Sequence, residues 1–161
     1  MKKMLSKAII PAAFLLLTIG ASAQTTKADH WSHAQLMARA QHLRQLAAKN
    51  GGTAFETLTK YPNHYTMLSF RDSDGGAEEH EKAADFFYIV DGQATVVTGG
   101  EVVDPKTTAP DEIRGASVKG GTRQEVKVGD VVHIPAGMPH QMLLAKGQSV
   151  TYFVVKVEEK P

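Results

Sequence analysis

Hydrophobic positions along the chain follow two periods. Between Ser32 and Lys49 the apolar residues Leu36, Ala40, Leu43 and Ala47 recur at steps of three and four, which places them on one stripe of an α-helix. Ser32-His33-Ala34-Gln35 reads as a capping box, the Ser32 hydroxyl and the Gln35 side chain each satisfying a free backbone amide. Asn50-Gly51-Gly52 supplies the stop, so one helix is expected up to about Lys49. His33 and His42 then read as polar residues on its surface.

From Thr53 the apolar runs become brief, β-prone and separated by glycine, proline and aspartate. Strands are expected over 53–59, 64–71, 85–90, 93–98, 123–127, 130–134, 140–145 and 149–157. Short strands at regular spacing, with no helices between them, predict an all-β sandwich or barrel. Asp91-Gly92 has the signature of a tight hairpin joining two of these strands. Residues 99–121 show little periodicity, and a stretch of that length is expected either as a functional cover or as a decorative insertion.

The first residues add a destination. A basic start at Lys2-Lys3, an uncharged apolar stretch from Ala8 to Ile19 and the small residues Ala21-Ser22-Ala23 make a secretory signal peptide over 1–23, cleaved near Gln24. The apolar stretch of twelve residues falls short of the about 20 needed to span a bilayer. The mature chain is therefore expected in the periplasm or secreted, with 24–52 as a helical segment and 53–161 as one β-barrel domain. Removing 1–23 takes three of the 18 basic side chains and none of the 17 acidic ones, leaving 15 against 17 and a formal charge of −2. No basic patch invites nucleic acid, and nothing is expected to hold the mature chain to a membrane. The chain has no cysteine, so packing or a metal must supply what disulfides give other exported proteins.

Two stretches carry candidate chemistry. GDVVHIPAGMPH, Gly129 to His140, has the form G-x5-P-x-G-x2-H: Pro135 ends regular pairing, Gly137 permits a tight backbone, and His140 opens the next strand at a rigid corner. EEHEKAAD, residues 78–85, groups one histidine with four acids just ahead of the run Phe86 to Val90. Together they resemble the two motifs of the cupin superfamily, over roughly 64–157. The second motif matches except at its last position, where Leu144 stands in place of an asparagine. The first, H-x-H-x3-4-E-x6-G, is met by His80, Asp85 and Gly92, with Glu78 where its first histidine would be.

The resemblance implies a jelly-roll barrel, the double-stranded β-helix, with a divalent metal near one mouth and Glu78, His80, Asp85 and His140 at ligand positions. It also implies a homodimer, since cupins commonly pair through barrel edges. In an extended segment Glu78 and His80 share a face while Glu79 and Glu81 take the other. Asp85 lies an odd number of residues from His80, so a bend in Lys82-Ala83-Ala84 is required to bring it in, either as a ligand or as a partner of one. A chain exported unfolded meets its metal outside the cytosol, where intrinsic affinity favours Zn2+, with Mn2+, Ni2+ or Fe2+ as alternatives.

A metal-dependent enzyme acting on a small polar organic molecule is the first functional expectation, because cupin relatives include lyases, isomerases and dioxygenases. Glu78 could then serve as general base instead of ligand, and Tyr88, Arg114 and Arg123 have side chains suited to substrate contact. His64 could face the same cavity, and His133 is expected to be structural. The alternatives are a barrel that binds or senses a small ligand without turnover, and a scaffold whose metal is structural or absent.

Overall fold

The structure, a computed structural model, describes residues 28–159; the signal peptide expected over 1–23 lies outside the described residues. Among the described residues, one helix, α1 (His33–Ala47), precedes twelve strands: β1 (Thr53–Lys60), β2 (His64–Arg71), β3 (Ala77–His80), β4 (Ala83–Thr98), β5 (Glu101–Val103), β6 (Lys106–Ala109), β7 (Glu112–Gly115), β8 (Ser117–Lys119), β9 (Thr122–Lys127), β10 (Val131–Ile134), β11 (His140–Leu143) and β12 (Val150–Glu158). The capping box at Ser32 forms, with the Gln35 amide donating to the Ser32 hydroxyl at 3.2 Å. Leu36, Ala40, Leu43 and Ala47 are all buried, packed on Leu68, Phe70 and Val90 of the sheet's outer face.

The main sheet is antiparallel and curled, in the order β1-β2-β12-β4-β11-β3-β7-β6, with β9 and β10 also paired to β4. Its interior is filled by Phe87, Ile89, Val96, Ile134, Val150, Tyr152 and Val154. Along β4 the inward residues Asp85, Phe87 and Ile89 alternate with the exposed Phe86 and Tyr88, the period-two pattern of a strand with one wet face. This is an all-β double-stranded β-helix carrying one N-terminal helix.

Three expectations are corrected. Asp91-Gly92 is no hairpin: β4 runs unbroken through it, and the first half pairs with β12 and β10 while the second pairs with β9 and β11. The bulge against β12 falls at Val90, between the paired residues Ile89 and Asp91, and Gly92 beside it, at φ +77°, stays paired with Val150 as the long strand bends across the barrel corner. Any Cβ there would collide with the Ser149 carbonyl. The 99–121 stretch, expected as a loop, contains β5 to β8, of which β7 joins the main sheet beside β3, and its residues Thr108, Glu112 and Arg114 border the cavity described below. The bend before Asp85 is a turn at Glu81-Lys82, one residue earlier than expected, and Ala83 already belongs to β4.

Candidate metal centre

Three strands bring the motif residues together. Glu78 and His80 leave β3 on its inward side, as their parity requires, and His140 opens β11 directly opposite Glu78 in the ladder. Gly137, at φ +70°, donates its amide to the His80 carbonyl at 2.8 Å, tying the turn of the second motif to the strand of the first. Asp85 enters from β4. A ligand atom from each of Glu78, His80 and His140 lies within 4.8 Å of the other two.

Both imidazoles are oriented from behind. His80 Nδ1 is 2.8 Å from the Glu112 carboxylate, and His140 Nδ1 donates to the Met138 carbonyl at 3.1 Å. Their Nε2 atoms are buried without an aligned hydrogen-bond partner and face the shared space, with ring centroids 5.2 Å apart. A histidine held through one nitrogen, with the other free, is the arrangement of metal-binding imidazoles. Two such nitrogens with a carboxylate make a donor set that divalent first-row metals accept, so these residues fit the implied metal.

Asp85 stands beside this group with its carboxylate shared between the imidazoles and a lysine. Its Oδ2 is 3.2 Å from His80 Nε2 and 3.6 Å from His140 Nε2, but Lys156 Nζ sits 2.8 Å from Oδ1 and 3.0 Å from Oδ2. Glu78 is paired with Arg71 at 3.3 Å and with Arg114, which also holds Glu112 at 3.0 Å. Arg71 in turn donates from Nε to the Tyr152 hydroxyl at 2.9 Å and from Nη1 to Thr53. Three carboxylates thus meet three fixed cations around the two histidines.

These neighbours set the protonation states. Burial opposes a charge on His80, yet its bonds to Asp85 and Glu78 prevail and push its pKa up to about 9. Burial pushes His140 down, so the two facing rings differ in charge. Burial would raise Glu78, but the His80 hydrogen bond and the charge of Arg114 hold it well below the usual carboxylate range. Asp85 is likewise lowered, burial being outweighed by His80 and Lys156. Burial, then the negative charge of Asp85 and Glu112, pushes Tyr65 up to about 12, leaving a phenol able to donate.

A cavity of about 420 Å3 opens above the centre, walled by Tyr65, Met67, Phe87, Tyr152 and Val154 and rimmed by Thr108, Glu112 and Arg114. That volume suits a small organic molecule. Tyr88 is not among its walls: it projects from the outer face of β4, 43% exposed, because Phe87 takes the inward position. Arg123 lies on exposed β9, His64 stacks on Tyr61 at 4.4 Å outside the cavity, and His133 stacks on Phe86 on the outer face. Of the suggested contact residues only Arg114 reaches the site. Glu112 and Lys156 are additions, and Lys156 has a sequence signal: it ends the inward series Val150, Tyr152, Val154 with a charge.

No protein-family model matches the sequence, and no curated relative matches it. Solved structures do resemble it. A Klebsiella pneumoniae protein with a double-stranded β-helix domain superposes with TM-score 0.51 at 12% identity, over 69% of this chain and 81% of that one. The DMSP lyase DddQ of Ruegeria pomeroyi gives 0.50 at 15% identity, over 73% of this chain and 53% of its own. A Schizosaccharomyces pombe cupin domain gives 0.50 at 14%, over 66% and 65%. This chain thus spans about half the length of the lyase and about two thirds of the yeast domain. The curled antiparallel barrel, the paired motifs at its mouth and these likenesses together establish that the chain has the cupin fold.

Proposed function

We propose that the chain is an exported metal-dependent enzyme acting on a small polar organic molecule, with a lyase, isomerase or dioxygenase-like reaction. The observation that carries this reading is the pair of buried Nε2 atoms of His80 and His140 that converge with Glu78 beneath a cavity of about 420 Å3. Glu78, His80 and His140 would hold the metal, with Zn2+ favoured over Mn2+, Ni2+ or Fe2+. A metal so held polarises a carbonyl or carboxylate oxygen or acidifies water. Arg114 and Lys156 place positive charge at the cavity wall, which orients a carboxylate or other electron-rich group. The Tyr65 phenol supplies a donor, and the apolar walls Met67, Phe87 and Val154 exclude water from the rest of the molecule. Glu78 would serve as a ligand; the alternative role of base toward the bound molecule is weakened by Arg71 and Arg114, which hold its carboxylate ionised.

A second reading, a non-catalytic binding or sensing barrel, draws support from the fact that Glu78, Asp85 and Glu112 each already pair with a cation of the protein. Elemental analysis of the untagged mature chain from its native compartment, followed by turnover of a panel of small carboxylates and sugars with and without chelator, distinguishes the two. Stoichiometric metal and chelator-sensitive turnover are expected. Metal at trace level sinks the enzyme reading, while saturable binding without turnover leaves the second. Export and the homodimer belong to the same proposal, checked by the N-terminus of the mature protein and by light scattering.

A further inference from the structure

Lys156 occupies an unusual place for a lysine. It follows Val150, Tyr152 and Val154 on the inward face of β12, is 7% exposed, and lies in register with Asp85 across the ladder. Burying an ammonium is costly unless a counter-charge meets it. Asp85 does so with both oxygens, at 2.8 and 3.0 Å. Asp85 also borders the space between the two imidazole Nε2 atoms, at 3.2 Å from that of His80 and 3.6 Å from that of His140. A dication placed there competes with the ammonium for the same carboxylate and is repelled by it.

We propose that Lys156 is a positioning residue that sets the ligand number of the centre: it keeps Asp85 as an ion-pair partner and leaves Glu78, His80 and His140 as the three protein ligands. With three protein ligands, a metal held there would keep coordination positions for an anionic group of the bound molecule. Lys156 lowers the affinity of the site for metal and reserves coordination sites for the ligand. This inference rests on the metal reading above.

The test measures Zn2+ affinity by chelator competition, and the visible spectrum with Co2+ as probe, on the full mature chain and its variants. Lys156→Met frees Asp85 to ligate, and binding about tenfold tighter or more, with an altered Co2+ spectrum, is expected from gaining a ligand and losing a like charge. Lys156→Gln, which keeps a hydrogen-bond donor toward Asp85 without the charge, serves the same comparison should the methionine variant fail to fold. The double variant Asp85→Asn with Lys156→Met removes both charges and is expected to bind within about fivefold of the native chain. A gain below about fivefold in the single variants, or a double variant weaker than native by more than about fivefold, overturns the inference while native binding leaves the metal reading intact. If neither the native chain nor the single variants bind Zn2+, the metal reading fails and takes the inference with it. Binding by the single variants alone supports Lys156 in the strongest form of its role.

Discussion

The metal-free protein should lose stability as the solution becomes alkaline, and His80 is the reason. Its pKa rises from the ordinary 6.5 to about 9 in the folded protein, because Asp85 and Glu78 hold its proton against the effect of burial. A group raised on folding stabilises fully below its unfolded pKa, and the contribution disappears as pH climbs through the folded value. At about 1.4 kcal/mol per pH unit the difference is worth about 3 kcal/mol, lost between about pH 6.5 and pH 9. His80 is 3% exposed, so solvent screening takes little from this figure. Urea unfolding of chelator-treated protein across that range, native against His80→Asn, isolates the effect, since other titrating groups are common to both. The native chain should lose about 3 kcal/mol more than the variant on going from acid to alkaline solution. Parallel stability profiles would show that the carboxylates do not hold that proton, and the argument for the charge state of the centre would fail.

The same proton competes with metal, so Zn2+ affinity should rise by up to about tenfold per pH unit between pH 7 and 9, measured by competition with a chelator of known pH dependence. Glu112→Gln weakens the group that orients His80 through Nδ1 and should cost about 10- to 100-fold in metal affinity with little change in fold. Leu43→Ala, at a helix position 1% exposed beneath α1, should destabilise by about 2–5 kcal/mol in denaturant unfolding while leaving metal affinity unchanged. Gly92→Ala meets both a positive φ and the Ser149 carbonyl, so a loss of more than about 1 kcal/mol is expected in the same assay.

Much of the architecture was readable from residue order because it rests on local physics. The stripe Leu36, Ala40, Leu43, Ala47 and the capping box at Ser32 specify a helix from neighbouring residues alone. Short β-prone runs bounded by glycine, proline and aspartate specify strands, and parity puts Glu78 and His80 on one face. Gly92 was misread for a physical reason: a positive φ serves a hairpin turn and a bend in a continuous strand equally well, and only the partners of β4 on each side decide which forms. Residues 99–121 kept their strands hidden because β5 to β8 are three or four residues long, too short to display a period.

What tertiary structure alone decided is which charges meet. Nothing in the linear chain places Glu112 behind His80, Arg114 on Glu78, or Lys156 against Asp85, pairs separated by 32, 36 and 71 positions. Their meeting depends on ladder register, in which a slip of one residue would turn each side chain to the opposite face. The sequence by itself determined that a helix leads a cupin-like barrel and that Glu78, His80 and His140 are candidates for one site. Sheet register determined that Asp85 faces a lysine, because pairing between distant strands is selected by burial of the whole inward face and carries no local signal.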